Sequence, residues 1–167
     1  MIKIQEAKQK DITIIQKIEK EYYEGYACPK NVLKNWIKES SKNFLKYERE
    51  DKLIAFLFLE VVNQIKGLPF VHKVQKKSGK YLYVAEIAIL DKYAKTNTLN
   101  QLFKELLKRN KRKKGIIWVT GGESKHDKTE LKVIRKIGFK KLKKISKWEA
   151  FPGHFINDHW LWFKKLK

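Results

Sequence analysis

The spacing of apolar residues predicts an α/β (α+β) chain: a mixed central sheet of about seven strands flanked by four helices. Three observations predict it. Tyr81–Leu90 is an apolar run rich in β-branched and aromatic residues with one charge, Glu86, the composition of a buried strand. Leu99, Leu102, Phe103, Leu106 and Leu107 then follow at helical spacing, lining one face of an amphipathic helix. Strand and helix patterns keep alternating beyond this unit, so parallel pairing with a right-handed crossover is expected around Tyr81–Thr120.

The first element is a short strand at Ile2–Ile4, where apolar and polar residues alternate. Asp11 precedes Ile14, Ile15, Ile18 and Tyr22, so it is expected to cap the N-terminus of a first helix. Gly25 stops that helix, and Pro29 opens a second one with Val32, Leu33, Trp36 and Ile37 on one face. The cluster Glu39-Ser40-Ser41 ends it. Tyr22, Tyr23 and Tyr26 fall where the two helices meet, either as packing residues or as the wall of a substrate pocket.

Phe44–Glu48 and Leu53–Val62 read as strands joined by a tight turn at Glu50-Asp51-Lys52. Asn63–Lys80 is irregular and basic, punctuated by Gly67, Pro69 and Ser78-Gly79. After the central strand, Asp91–Thr98 has no apolar periodicity, and Thr96, Asn97 and Thr98 are suitable helix-start residues. Lys108–Lys114, KRNKRKK, gives that helix a basic end that complements its dipole. Ile116–Thr120 is a further buried strand, and Gly121-Gly122 turns the chain. Lys125–Ile137 is helical, with Gly138 at the C-cap. Strands follow from Phe139 through Lys147–Ala150 and, beyond the Pro152-Gly153 break, at Trp160–Phe163.

Composition bounds the function. A chain of 167 residues, 43% hydrophobic, supports one domain with a real core. No apolar run approaches the ~20 residues that span a bilayer. The N-terminus, MIKIQEAKQKD, has no apolar signal core, so a cytoplasmic protein is expected. The lone Cys28 excludes an internal disulfide and a cysteine-rich zinc site, and the four histidines show no ligand spacing, so no metal is expected. The net charge of +21 suits acidic partners such as RNA or another polyanion. A compositional excess of lysine over arginine accounts for it equally well.

The whole order, β-α-α-β-β-β-α-β-α-β-β, resembles the GNAT superfamily of N-acetyltransferases. VAEIAIL, then DKY and an amphipathic helix, looks like that family's fourth strand, pyrophosphate turn and third helix. LKVIRKIGF resembles its fourth helix, and FPGHFINDHWLWFKKL its last two strands. The resemblance implies acetyl-CoA as co-substrate and an amine acceptor. Backbone groups of Ile87 and Ile89 would hold the pantetheine arm, and Lys95, Thr96, Asn97, Thr98, Leu99 and Asn100 would meet the pyrophosphate. It also implies a possible homodimer through the C-terminal strand.

The family's turn usually reads Arg/Gln-x-x-Gly-x-Gly/Ala; the matching positions are Ala94, Asn97 and Leu99. Asn97 would replace a glycine by tolerating positive φ, whereas Leu99 would obstruct the turn. Asp127 and Ile134 stand where the fourth helix often carries Asn and Tyr. Glu86 is the expected general base, because burial on a strand raises a carboxyl pKa. His154, after Pro152-Gly153, is the second catalytic candidate. Two readings stay open: an acetyltransferase, or an inactive module of the same fold that binds RNA, ribosome or another acidic partner through its lysines and tryptophans.

Overall fold

A computed structural model describes residues 1–62, 79–120, 125–151 and 154–166. The elements are β1 (Ile2–Glu6), α1 (Ile12–Tyr22), α2 (Lys30–Ser40), β2 (Phe44–Arg49), β3 (Lys52–Val62), β4 (Tyr81–Ile89), α3 (Thr98–Arg109), β5 (Gly115–Thr120), α4 (Lys125–Ile137), β6 (Lys140–Phe151) and β7 (His154–Lys165). The strands form one seven-stranded sheet in the order β1-β2-β3-β4-β5-β7-β6. The expected parallel pairing is present, with Tyr81, Leu82 and Tyr83 of β4 opposite Gly115, Ile116 and Ile117 of β5. The irregular basic stretch, save Gly79 and Lys80, and the turns at Gly121-Gly122 and Pro152-Gly153 lie outside the described residues.

The chain gathers into two units, Met1–Leu59 with Glu86–Asn110, and Glu60–Ala85 with Lys111–Lys167. The first is built on the hairpin β2–β3. Glu50 and Asp51, at φ 54° and 58°, form its two-residue turn, and Lys52 already pairs with Arg49. Positive φ at both turn residues gives the chain a twist that matches the flanking strands. β3 is buried from Leu53 to Val61, as a strand covered on both faces should be. Trp36 of α2 stacks on Phe58 at 4.6 Å between ring centroids, and Phe58 meets Phe44 at 5.2 Å.

Asp11 stands at the N-cap position of α1, but its side chain makes no capping bond to the helix. Its carboxylate turns back, accepting from the Lys8 N–H at 2.8 Å and from Lys46 Nζ at 3.0 Å, so it closes the 3-10 turn that precedes the helix. Lys46 also reaches Glu48 at 2.7 Å. Burial works against the Lys46 charge, but the two carboxylates outweigh it and hold the ammonium above the ordinary lysine range.

In the second unit, Tyr83, Ile117 and Leu161 form a core joined by Tyr81, Val119, Ile145 and Phe163. Gly115 is required in β5, because a Cβ there would overlap the Phe163 ring. Trp118 is 1% exposed and meets Phe139 edge-on at 5.8 Å. α4 ends as its sequence predicts: Gly138 takes φ 85°, and its N–H and that of Phe139 both return to the Ile134 carbonyl at 3.1 Å. β6 and β7 form a hairpin of two 12-residue strands, longer than the short apolar segments predict. The polar residues between those segments keep their ladder partners, as Lys147 does opposite Asn157.

Candidate active site

α1 buries Ile12, Ile15, Ile18, Glu19 and Tyr22 on one face. Glu19 is therefore a carboxyl on an otherwise apolar stripe. The helix ends because Glu24 and Gly25 take φ 55° and 106°, a conformation that glycine adopts without strain. The chain then folds back on α1. Gln16 Nε2 donates to the Cys28 carbonyl at 2.8 Å, and the Cys28 N–H donates to Glu19 Oε2 at 3.0 Å. Glu19 Oε1 is buried without a hydrogen-bond partner.

Glu86 is buried on β4, and its Oε2 also lacks a partner. Burial drives its pKa well above the ordinary carboxylate range, against the opposing influence of the Tyr23 hydroxyl and the Ile87 N–H. Glu19 is raised in the same direction, first by burial and then by the Glu86 charge, against the Cys28 N–H. Two buried carboxyls that repel each other, with no ion-pair partner among the described residues, cannot both ionise near neutral pH. Burial, and for Glu19 the Glu86 charge, keep both carboxyls protonated well above the ordinary carboxylate range. Tyr26 borders them. Its phenol is pushed upward by burial, then by Cys28, Glu86 and Glu19. Tyr23 donates to the Ile87 carbonyl at 2.6 Å.

The turn between β4 and α3 is built from its own side chains. The Leu90 N–H reaches the Ile54 carbonyl at 2.9 Å, and Glu21 accepts from the Asp91 N–H at 2.8 Å. Thr96 Oγ1 lies 2.6 Å from the Tyr93 carbonyl and 2.7 Å from Thr98 Oγ1. α3 begins at Thr98, and its first intrahelical bond runs from the Gln101 N–H to the Asn97 carbonyl at 3.1 Å. The N–H groups of Thr98, Leu99 and Asn100 thus lie in the turn where a helix supplies no acceptor.

Two expectations for this turn are corrected. Asn97 has φ −86°, so no glycine-like conformation is needed there. Leu99 is 3% exposed, packed inward with Leu102 and Phe103 on the buried face of α3, and its bulk is turned away from solvent. Asn100 donates to Asn97 Oδ1 at 3.0 Å while its own Oδ1 is buried without a partner. Lys95 and Lys92 are exposed, and the Lys92 ammonium lies 5.1 Å from the Tyr93 ring centre. Backbone donors, threonine hydroxyls and two lysines together suit an anionic group.

In the second unit, Ile134 is fully buried and Asp127 accepts from Thr120 Oγ1 at 2.8 Å. Ile134 thus serves the core. His154 starts β7 opposite Phe151; its side chain is outside the described residues. The residue that the sequence reading does not name is Glu19; Tyr23 and Tyr26, expected as either packing residues or a pocket wall, act on the buried carboxyls or feel their charge. Glu19 carried a usable signal: it interrupts the apolar series Ile15, Ile18 and Tyr22 on the buried stripe of α1.

No family model and no curated protein matches the sequence. Solved structures match across its length. A GNAT-like decarboxylase, GphF, in complex with isobutyryl-CoA is similar at TM-score 0.81 and 10% identity, covering 99% of this chain and 100% of that one. The loading GNATL domain of CurA from Lyngbya majuscula is similar at 0.79 and 13%, over 99% and 98% of the two chains. The ribosomal-protein-S18-alanine N-acetyltransferase from Escherichia coli gives 0.68 and 13%, over 100% and 95%. The chain has the GNAT fold.

Proposed function

We propose that the protein is an acyltransferase that moves an acetyl group from acetyl-CoA to an amine by direct attack. The observation that carries this reading is Glu86, a buried carboxyl poised to exchange a proton near neutral pH. Acetyl-CoA supplies the activated thioester. Glu86, in its ionised form, takes the proton of the attacking nitrogen as the C–N bond forms. The C–S bond breaks, and the proton ends on the departing thiolate, so none is gained or lost. The Glu86 charge raises the Glu19 carboxyl, and Tyr26 feels both carboxyls.

The N–H groups of Thr98, Leu99 and Asn100, with Thr96, Asn97 and Lys95, would hold the pyrophosphate. Ile87 and Ile89 offer the pantetheine arm their backbone groups, although the Ile87 carbonyl already accepts from Tyr23. His154 is a further candidate for proton transfer. The acceptor classes are a small amine, a lysine side chain, a protein N-terminus or an aminoacylated tRNA. Among the described residues no helix is long and apolar enough to cross a membrane.

Thermal unfolding with and without acetyl-CoA, at modest and high salt, tests the reading. A ligand at a hundred times its Kd should stabilise the protein by about 2.7 kcal/mol. A shift that survives high salt supports a formed site. No shift, or one abolished by salt, would leave only lysines attracting an anion and would remove the acyltransferase reading.

A further inference from the structure

The two units carry different charge. Met1–Leu59 with Glu86–Asn110 holds 17 Lys and Arg against 12 Asp and Glu, net +5. Glu60–Ala85 with Lys111–Lys167 holds 22 against 6, net +16. The units are nearly equal in length, and a compositional drift toward lysine would act on both alike. The second unit is depleted in acids, and those of α4 are turned inward. Glu130 accepts from Trp118 Nε1 at 3.0 Å, and Asp127 accepts from the buried Thr120. Among the described residues of α4, the exposed side chains are all cations, Lys128, Lys132, Arg135 and Lys136. Their i, i+4, i+7, i+8 spacing sets them on one face. Two residues after α4 ends, β6 continues the series with exposed Lys140, Lys141 and Lys143.

We propose that the outer face of α4 and the start of β6 form a docking surface for the phosphate backbone of a nucleic acid, bound without base reading. Exposed lysines paired one by one with carboxylates of an acidic protein gain little. A row of cations on a dense line of phosphates releases condensed counterions and gains much more. Lysine acts as a point charge, so contacts of this kind position a backbone and carry no sequence information. A membrane surface fits less well. The apolar residues Val133 and Ile134 of α4 are used in the core, and Leu142 is the one large apolar side chain exposed among the described residues of this segment. This surface is independent of the acyltransferase reading and survives its failure.

The test uses the full chain with a fluorescent RNA hairpin and a DNA duplex of equal length. Both should bind with similar affinity, and log K should fall steeply with log salt. The double variant Lys132→Gln/Arg135→Gln should bind at least about tenfold more weakly, and its salt slope should shrink by about 2. A control losing the same charge from α2, Lys34→Gln/Lys38→Gln, should bind as the parent does. Unchanged thermal unfolding of both variants shows that the fold is intact. Equal losses in the two variants, no binding at physiological salt, or tighter binding to phosphatidylserine vesicles than to either nucleic acid would overturn the proposal.

Discussion

Two groups of carboxyls lie in the same unit and behave oppositely. Asp11 and Glu48 share Lys46, which neutralises them at 3.0 and 2.7 Å. Glu19 and Glu86 share only each other, a backbone N–H and the neighbouring phenols. Asp11, Glu19 and Glu86 are buried, and Glu48 is half-buried. The difference is the cation. Where lysine enters, each acid has an ion-pair partner and serves the fold. Where it is withheld, burial raises the carboxyl pKa values toward neutral pH and beyond, the behaviour that the proposed general base requires.

The largest way to break this comparison is Glu86→Gln. If Glu86 is the base, the acetyl-transfer rate should fall by about 10²–10⁴-fold with the fold intact, measured by release of free thiol. A variant with unimpaired turnover would reduce the pair to a packing oddity. Next comes Lys46→Met, which removes the cation from the buried Asp11 and the half-buried Glu48 and should cost about 3–5 kcal/mol in urea denaturation. A loss below about 1 kcal/mol would place Lys46 with ordinary surface pairs.

The pH dependence separates the two groups without any assay of turnover. Folded Glu19 and Glu86 keep protons that the unfolded chain releases near its ordinary value of 4.5. Their contribution is fully present below that value and is lost as pH rises through the raised folded values. The slope is up to about 1.4 kcal/mol per pH unit for each proton. Lys46, held above 10.5 when folded, keeps its contribution until pH exceeds that value. Glu19→Gln should therefore flatten the neutral-pH slope, as followed by urea denaturation across pH, whereas Lys46→Met should leave it. The smallest effect is Tyr23→Phe, which removes the bond to the Ile87 carbonyl and should cost about 1 kcal/mol. A larger cost would make Tyr23 a determinant of how far Glu86 can hold its proton.

Much of the fold was legible because its signals are local. The apolar run at Leu53–Val61 and the periodic leucines of α3 each state their own element. Glu86 could be singled out for the same reason, as the one charge in a buried strand. Asp11 misled because capping is inferred from chain neighbours, while Lys46, 35 residues away, claims its carboxylate. Asn97 misled because a missing glycine suggested a left-handed residue, and the turn closes instead through the Thr96 and Thr98 hydroxyls. Glu19 meets Glu86 only after folding, so the pairing itself left no trace in local pattern. A charged residue on an apolar stripe was its sole sign.

The lysines of β6 have a consequence for how copies of the protein tolerate one another. Among the described residues β6 ends the sheet order beside β7, and a strand in that position offers unpaired backbone groups to any chain that approaches. Lys140, Lys141, Lys143 and Lys144 crowd its first half, and Lys141 is held 3.3 Å from the Trp160 ring centre. A second copy laying its own β6 alongside would set lysine against lysine. That repulsion acts as a gatekeeper against filament growth, and it weakens as salt shortens the Debye length. The protein should accordingly stay dispersed in dilute buffer and begin to self-associate in concentrated salt, the reverse of a chain kept apart by hydration alone.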